Sequence, residues 1–346
     1  MQAVSFNPQQ ITKLFLAELP ERSRDVINKR FGLTDRNKKT LEAIGQEYDI
    51  TRERVRQIEN LAKEQIRKSS AFINDAQSAV QEMETLLNQM GGLAEEQTLL
   101  DTVSPSSAEK NHLYLLLELG EDFIHAKEDD NNHKSWYTNE TNFGIVKDSL
   151  KRLYKDLDTD EILSEDEIVS RFMNIIAEDL ADGVADTEVA KLWLRMSKRV
   201  GKNQMGRWGR TDSPNIKTRG VRDYAYLVLR ENGKPMHFKE IAQETSTYFG
   251  KEINVATMHN ELIKDTRFSL VGRGIYALKD WGLYGGPVND LITKILQENK
   301  SPMTEEDIIT KVLEQKLVKE STIKINLKNK SRFTQDKKTK LYTIAK

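Results

Sequence analysis

Four residues within one short run carry groups suited to reading base edges. In TRERVRQIE, Thr51 to Glu59, they are Arg52, Glu53, Arg56 and Gln57. Arginine can bridge the major-groove acceptors of guanine, glutamine can pair with adenine, and glutamate can accept from the cytosine amino group. Their spacing puts all four on one face at the start of a helix. A second candidate is RVGKNQMGRWGR, Arg199 to Arg210, whose glycines Gly201, Gly206 and Gly209 are spaced as in a hairpin. There Lys202, Arg207 and Arg210 suit phosphates, and Trp208 suits either the base of the hairpin or stacking on a nucleobase.

Other chemistry finds little material. The chain has no cysteine, hence no disulfide framework, thiolate metal site or cysteine nucleophile. The five histidines (His112, His125, His133, His237, His259) are scattered, with no metal-ligand pair at helical spacing. His125 and His133 flank Glu128-Asp129-Asp130, but the glycine of a cation loop is missing, so a solvated turn is expected. The acidic run from Asp158 to Glu167 reads as a solvated helix start. Neither GxxxxGK[ST] nor GxSxG occurs. No cofactor, no metal and no enzymatic activity are expected.

The elements that must position the reading residues follow from capping and periodicity. Thr40 can cap a helix with Leu41, Ile44 and Tyr48 on one face, and Asp49 and Ile50 make a turn. Thr51 caps a second helix, where Val55, Ile58, Ala62 and Ile66 recur at helical spacing. This is a helix-turn-helix, whose second helix enters the major groove by its N-terminal end. Upstream, residues 9–19 form an amphipathic helix, and another helix runs from Pro20 to its stop at Gly32.

The stretch closely resembles region 4 of the housekeeping class of bacterial sigma factors, the part that reads the promoter −35 element. The resemblance begins at FLAELPERSRDVINKRFGL, Phe15 to Leu33, and covers about the first fifth of the chain. It implies that Arg52, Glu53, Arg56 and Gln57 read bases while Arg30, Thr51 and Arg54 hold the phosphate backbone of duplex DNA. It also implies docking on the β-flap of the RNA polymerase core through an apolar surface. Leu61 stands where the family tends to carry a basic residue, and Glu64 and Gln65 replace others, so activator contacts through that patch are not expected. A full sigma factor has an upstream region that binds core polymerase and melts the −10 element. Here 14 residues precede Phe15, so promoter reading without that melting step is expected.

The net charge of −1 over 346 residues hides an asymmetry. Residues 1–68 hold 14 Lys and Arg against 10 Asp and Glu, residues 69–190 hold 8 against 27, and residues 191–346 hold 31 against 17. Two basic ends tolerate polyanions, and an acidic middle repels them. No apolar run approaches the ~20 residues of a membrane helix, and MQAVSFNPQQ lacks a signal-peptide pattern. A cytoplasmic, nucleoid-associated protein is expected.

Past Gly92 the chain is repetitive. Val221 to Arg230, a turn GKPMHF, a helix through Gln243, a third at Asn254 to Ile263 and a hairpin FSLVGRGIYAL make a winged helix. Residues from Val288 to Ile344 repeat the plan, sharing a turn-Pro step (Gly233 to Pro235, Lys300 to Pro302) and a hairpin from Phe to Tyr-X-Leu/Ile. Weaker copies are residues 93–138, ending in a Phe-to-aromatic hairpin, and 143–211, with helices at 143–155, 165–181 and 186–198 before the basic hairpin. A spacing near 60 residues fits a string of small units. Through RDYAYLVL, GKPMHF and GRGIYAL, residues 219–281 resemble the HARE-type helix-turn-helix domain, also found in the delta subunit of bacterial RNA polymerase, which implies a transcription- or DNA-associated module.

The expected fold is mainly α, a helix-turn-helix followed by a string of winged-helix domains. Its divisions are 1–70 for the sigma-like module, 71–92 for a linking amphipathic helix, and 93–141, 142–218, 219–284 and 285–346 for winged helices. The leading functional reading is a sequence-specific DNA-binding transcription regulator acting at a −35-like element in initiation. Two others remain: an accessory protein bound to polymerase core through the region 4 module, and a DNA-targeting subunit of a modification or defence system.

Overall fold

The computed structural model describes residues 4–138, 140–180, 186–299 and 301–345. Lys300 of the expected turn-Pro step and residue 181 of the expected third-module helix lie outside them. The fold is mostly helical with small antiparallel sheets. The chain forms two compact units, residues 1–202 with 207–212, and residues 203–206 with 213–346.

The first unit opens with α1 (Pro8–Ala17), α2 (Glu21–Phe31), α3 (Leu41–Tyr48) and α4 (Arg52–Lys68). Asn7 caps α1, and Gly32 ends α2 in the left-handed region at φ 63°. Then comes a π-turn at Phe72–Ala76 and α5 (Gln77–Gln89). Next are β1 (Leu93–Glu95), α6 (Glu96–Val103), α7 (Ser107–Leu119), β2 (Ile124–Ala126) and β3 (Ser135–Tyr137). The sheet order β1-β3-β2, with three helices before the hairpin, is a winged helix. Residues 77–89, expected as a link, are therefore its first helix. The break from α4 falls at Ser69, whose backbone is extended (φ −70°, ψ 148°), and the π-turn leads straight on into α5.

This small sheet serves two cores, because successive strand residues point to opposite faces. Ala94 and Trp136 join a cluster with Phe15, Leu16, Ile27, Phe31, Ala62 and Ile66 of the N-terminal helices. Leu93 and Tyr137 join the cluster of the third module. That module has α8 (Glu140–Asp156), α9 (Glu165–Ile176), α10 (Thr187–Leu194) and the hairpin β4 (Val200–Lys202) with β5 (Trp208–Arg210). An isolated bridge from Leu163 to Trp208 supplies the missing first strand. The helix expected over 186–198 stops at Leu194, since residues 196–198 leave to pair with the β2–β3 loop, where His133 N–H donates to the Met196 carbonyl at 2.8 Å.

The second unit holds α11 (Val221–Asn232), β6 (Met236–His237), α12 (Phe238–Phe249), α13 (Val255–Lys264), β7 (Phe268–Gly272) and β8 (Ile275–Leu278). Its sheet order β6-β8-β7 repeats that of the first winged helix. His237 and Glu240 form a capping box at the start of α12. The chain continues through α14 (Val288–Asn299), α15 (Glu305–Gln315), α16 (Glu320–Leu327), β9 (Phe333–Gln335) and β10 (Tyr342–Ile344). A Met303–Tyr342 bridge again stands for the first strand. The core of this last module contains Leu291, Ile295, Ile308, Val312, Ile323, Phe333 and Tyr342.

Candidate nucleic-acid interface

The helix-turn-helix is built around a close crossing of backbones. Ile50 N–H donates to the Gly45 carbonyl at 3.0 Å. A Cβ at Gly45 would sit 2.6 Å from the Ile50 oxygen, so only glycine lets α3 turn this tightly into α4. Asp49 takes the left-handed conformation at φ 53°, which aspartate tolerates better than most residues. Capping and apolar spacing do not single out Gly45, although a glycine inside a short helical pattern is the usual sign of close backbone approach. Thr40 and Thr51 accept from the backbone N–H of Ala43 and Arg54, as their capping pattern predicts. Val26, Ile44 and Val55 form the small core that sets the angle between helices, with Leu41, Tyr48, Ile50 and Ile58 around it.

This packing leaves the start of α4 in solvent. Thr51, Arg52, Glu53, Arg54, Arg56 and Gln57 are all exposed, whereas Val55, Glu59, Ala62 and Ile66 on the opposite side are buried. Two pairs organise the exposed face. Glu53 accepts from Arg56 through Nε at 2.9 Å and Nη2 at 2.6 Å, and Arg54 Nη1 donates to Gln57 Oε1 at 3.0 Å. The Arg56 hydrogen bonds hold the Glu53 carboxyl below its usual range, so it stays an anion at neutral pH. Exposed pairs of this kind contribute little stability, so both can be exchanged for contacts to DNA.

Arg30 is placed differently. Its Nε donates to Glu59 Oε2 at 3.3 Å and its Nη1 to the Lys39 carbonyl at 3.2 Å, tying the end of α2 to the middle of α4. It still lines a shallow cleft with Thr40, Leu41, Glu42 and Arg52. The arginine expected on phosphate thus also clamps α4.

The basic hairpin of the third module forms with the expected strands, Val200 opposite Arg210 and Lys202 opposite Trp208. Trp208 is only 4% exposed and sits in the module core, which closes the alternative of stacking on a nucleobase. Lys202 is exposed, with Nζ 5.9 Å from the centre of that ring. Arg207 is half-buried. Arg210 donates to Asp212 and to the Tyr154 hydroxyl, and Arg199 donates to the same hydroxyl, so the ring lies between two guanidinium groups. The hydrogen bonds from Arg210 bring the Asp212 carboxyl down to about 2. Arg210 is therefore an internal partner first.

The described residues contain no group of three or more metal-ligating side chains, and no helix among them is long and apolar enough to cross a membrane.

Comparisons with known proteins match two of these modules. The family described as sigma-70, region 4 matches residues 15–68. The HARE-HTH family, whose description names an ASXL and restriction endonuclease HTH domain, matches residues 220–281. RNA polymerase sigma factor RpoS of Coxiella burnetii is 53% identical over 53 residues, 15% of this chain and 15% of that protein. RNA polymerase sigma factor SigA1 of Synechococcus elongatus is 52% identical over 52 residues, 15% of this chain and 13% of that protein. The chain thus spans only 13–15% of the length of these curated relatives. Both matched families are DNA-binding domains rather than enzymatic ones. Together they point to a DNA-binding, sigma-like, transcription-related protein.

Proposed function

We propose that this chain is a transcription regulator that reads a −35-like promoter element through α3 and α4. The observation that carries the reading is the one-sided burial of α4. Its N-terminal face offers Arg52, Glu53, Arg56 and Gln57 to solvent, while its other face is held by a core and by Arg30. Thr51 and Arg54, with Arg30 beside the cleft, would lie along the phosphates. Such a regulator works in the cytoplasm, on the nucleoid.

Polymerase contact through the apolar side of the module fits less well. Phe15, Leu16, Leu19, Ile27 and Phe31 are already packed with α5 and α7, so a flap seated there would have to displace them. The DNA reading needs no such opening.

The test is footprinting of the full chain, without polymerase, on a duplex carrying TTGACA. Protection of that element is expected. Arg52→Ala and Arg56→Ala should each weaken binding by about 1–3 kcal/mol and relax preference at one position. Co-purification with core polymerase and no footprint would overturn the proposal in favour of an accessory role.

A further inference from the structure

The C-terminal module, outside both family matches, carries a second charged surface. Residues 317–345 hold eight Lys and Arg against two acids, Glu320 and Asp336. On α16, Ile323 and Leu327 are buried, while Ser321, Lys324, Ile325 and Lys328 form the exposed stripe at three- and four-residue spacing. Lys330 follows, and Lys337 and Lys338 occupy the exposed tip between β9 and β10. The helix and the hairpin adjoin. Lys324 Nζ is 4.0 Å from Glu305 Oε1, and the other oxygen of Glu305 accepts from the Tyr342 hydroxyl of β10 at 3.2 Å.

Asp290 pairs with Arg332 at 2.5 Å, but the acids nearest the lysines do little to neutralise them. Asp336 Oδ1 accepts from the backbone N–H of Lys338 and Thr339 and from the Thr339 hydroxyl, so it shapes the turn. Glu305 and Glu320 each stand at 4.0 Å from Lys324, too far for a tight ion pair.

From this geometry we infer that α16 and the β9–β10 hairpin form a second nucleic-acid site, gripping the phosphate backbone of duplex DNA without reading sequence. Lysine supplies point charges rather than bidentate base contacts. The amides at hand are each engaged within the module: Asn326 donates to the Thr322 carbonyl, Asn329 Oδ1 accepts from Ser331, and Gln335 donates to the Lys340 carbonyl. A single-stranded ligand needs exposed aromatic platforms, and the two aromatics of the hairpin, Phe333 and Tyr342, are buried. The duplex backbone is the polyanion that this surface fits.

The site stands independently of α4, so the two can be separated in the full chain. A variant with Lys324, Lys328, Lys337 and Lys338 all changed to Ala should bind a random-sequence duplex at least about tenfold more weakly. The slope of log affinity against log salt should fall by roughly 3 to 4. The corresponding Lys→Arg variant should retain the wild-type slope. The four-lysine variant should keep its preference for a TTGACA duplex over a random one, which distinguishes failure of this site from failure of promoter reading. In the unaltered protein, duplex DNA should protect these four lysines from amine acetylation, a readout that needs no variant to fold. An unchanged slope with unprotected lysines would overturn the inference. So would tighter binding of single-stranded RNA through the same lysines.

Discussion

Helices α7 and α16 hold the same station in the same topology, the third helix before the hairpin, yet they face opposite environments. In α7, His112, Leu113, Leu115, Leu116, Leu117 and Leu119 are all buried. Asn111 donates to the Gly32 carbonyl, and Arg67 of α4 donates to the carbonyls of Glu118 and Leu119. Helix α10 follows α7, with the Trp193 indole N–H donating to the Met90 carbonyl at 3.0 Å. In the second unit the third helices are open. Helix α13 exposes Val255 and Ile263, and α16 exposes Lys324, Ile325 and Lys328. The winged-helix plan by itself therefore says nothing about DNA. In the first unit it serves as a brace that holds α4, and only a third helix that is both open and basic remains equipped for a polyanion.

The largest effect should come from truncating the same kind of residue at the two stations. Leu116 is fully buried, so Leu116→Ala should cost about 2–5 kcal/mol in denaturant unfolding of the first unit. Ile325 is 69% exposed, and Ile325→Ala should stay within about 0.5 kcal/mol. Equal costs would show that α7 does not brace α4.

Much of this was legible in the sequence. The helix-turn-helix announces itself through two threonine caps and a strict apolar spacing, both local signals. The hairpins announce themselves through aromatic strand residues, and at Arg199–Arg210 and Phe268–Leu278 also through glycines. Which third helices turn inward was not legible, because burial of α7 depends on surfaces more than fifty residues upstream, such as Phe15 and Phe31. The run LYLLLEL could have been an exposed apolar face or a core. Arg30 shows the same limit: its type and position suit phosphate, but its engagement by Glu59 appears only once α2 and α4 are packed. The helix over residues 77–89, expected as a link, packs as the first helix of a winged helix, and the break before it, at the extended Ser69, carries no proline or glycine to mark it.

The junction of the second and third modules gives a middle-sized effect. Gly91 has φ 82°, and a Cβ there would meet the Trp193 ring at 2.4 Å and Val189 at 2.7 Å. Gly91→Ala should destabilise the first unit by roughly 2 kcal/mol, from left-handed strain plus displacement of the indole. Restoring space with Gly91→Ala in a Trp193→Leu background should recover the steric part alone. If Gly91→Ala is neutral in thermal unfolding, α10 is not seated on the second module.

The smallest effect concerns the joint between the sigma-like module and its brace. His112 of α7 is 5% exposed, with Nδ1 2.5 Å from the Thr12 hydroxyl of α1. Burial disfavours the imidazolium and lowers the His112 pKa, against a smaller opposing hydrogen bond with the Leu33 backbone. The folded state therefore binds fewer protons than the unfolded chain once pH drops below the ordinary histidine value of about 6.5. The stabilisation from keeping His112 neutral is complete above that value and is lost as pH falls toward its depressed folded-state pKa. Unfolding of the first unit measured between pH 7 and 5 should show stability decreasing with acid. His112→Gln, which cannot titrate but can still pair with Thr12, should flatten that part of the profile. In the second unit, the half-buried His259 stacks on Phe238 and lies edge-on to Tyr276, and His259→Gln should leave the slope of the first unit unchanged. An equal slope in wild type and His112→Gln would place the acid sensitivity in the carboxylates and remove His112 from the account of how the brace holds α1.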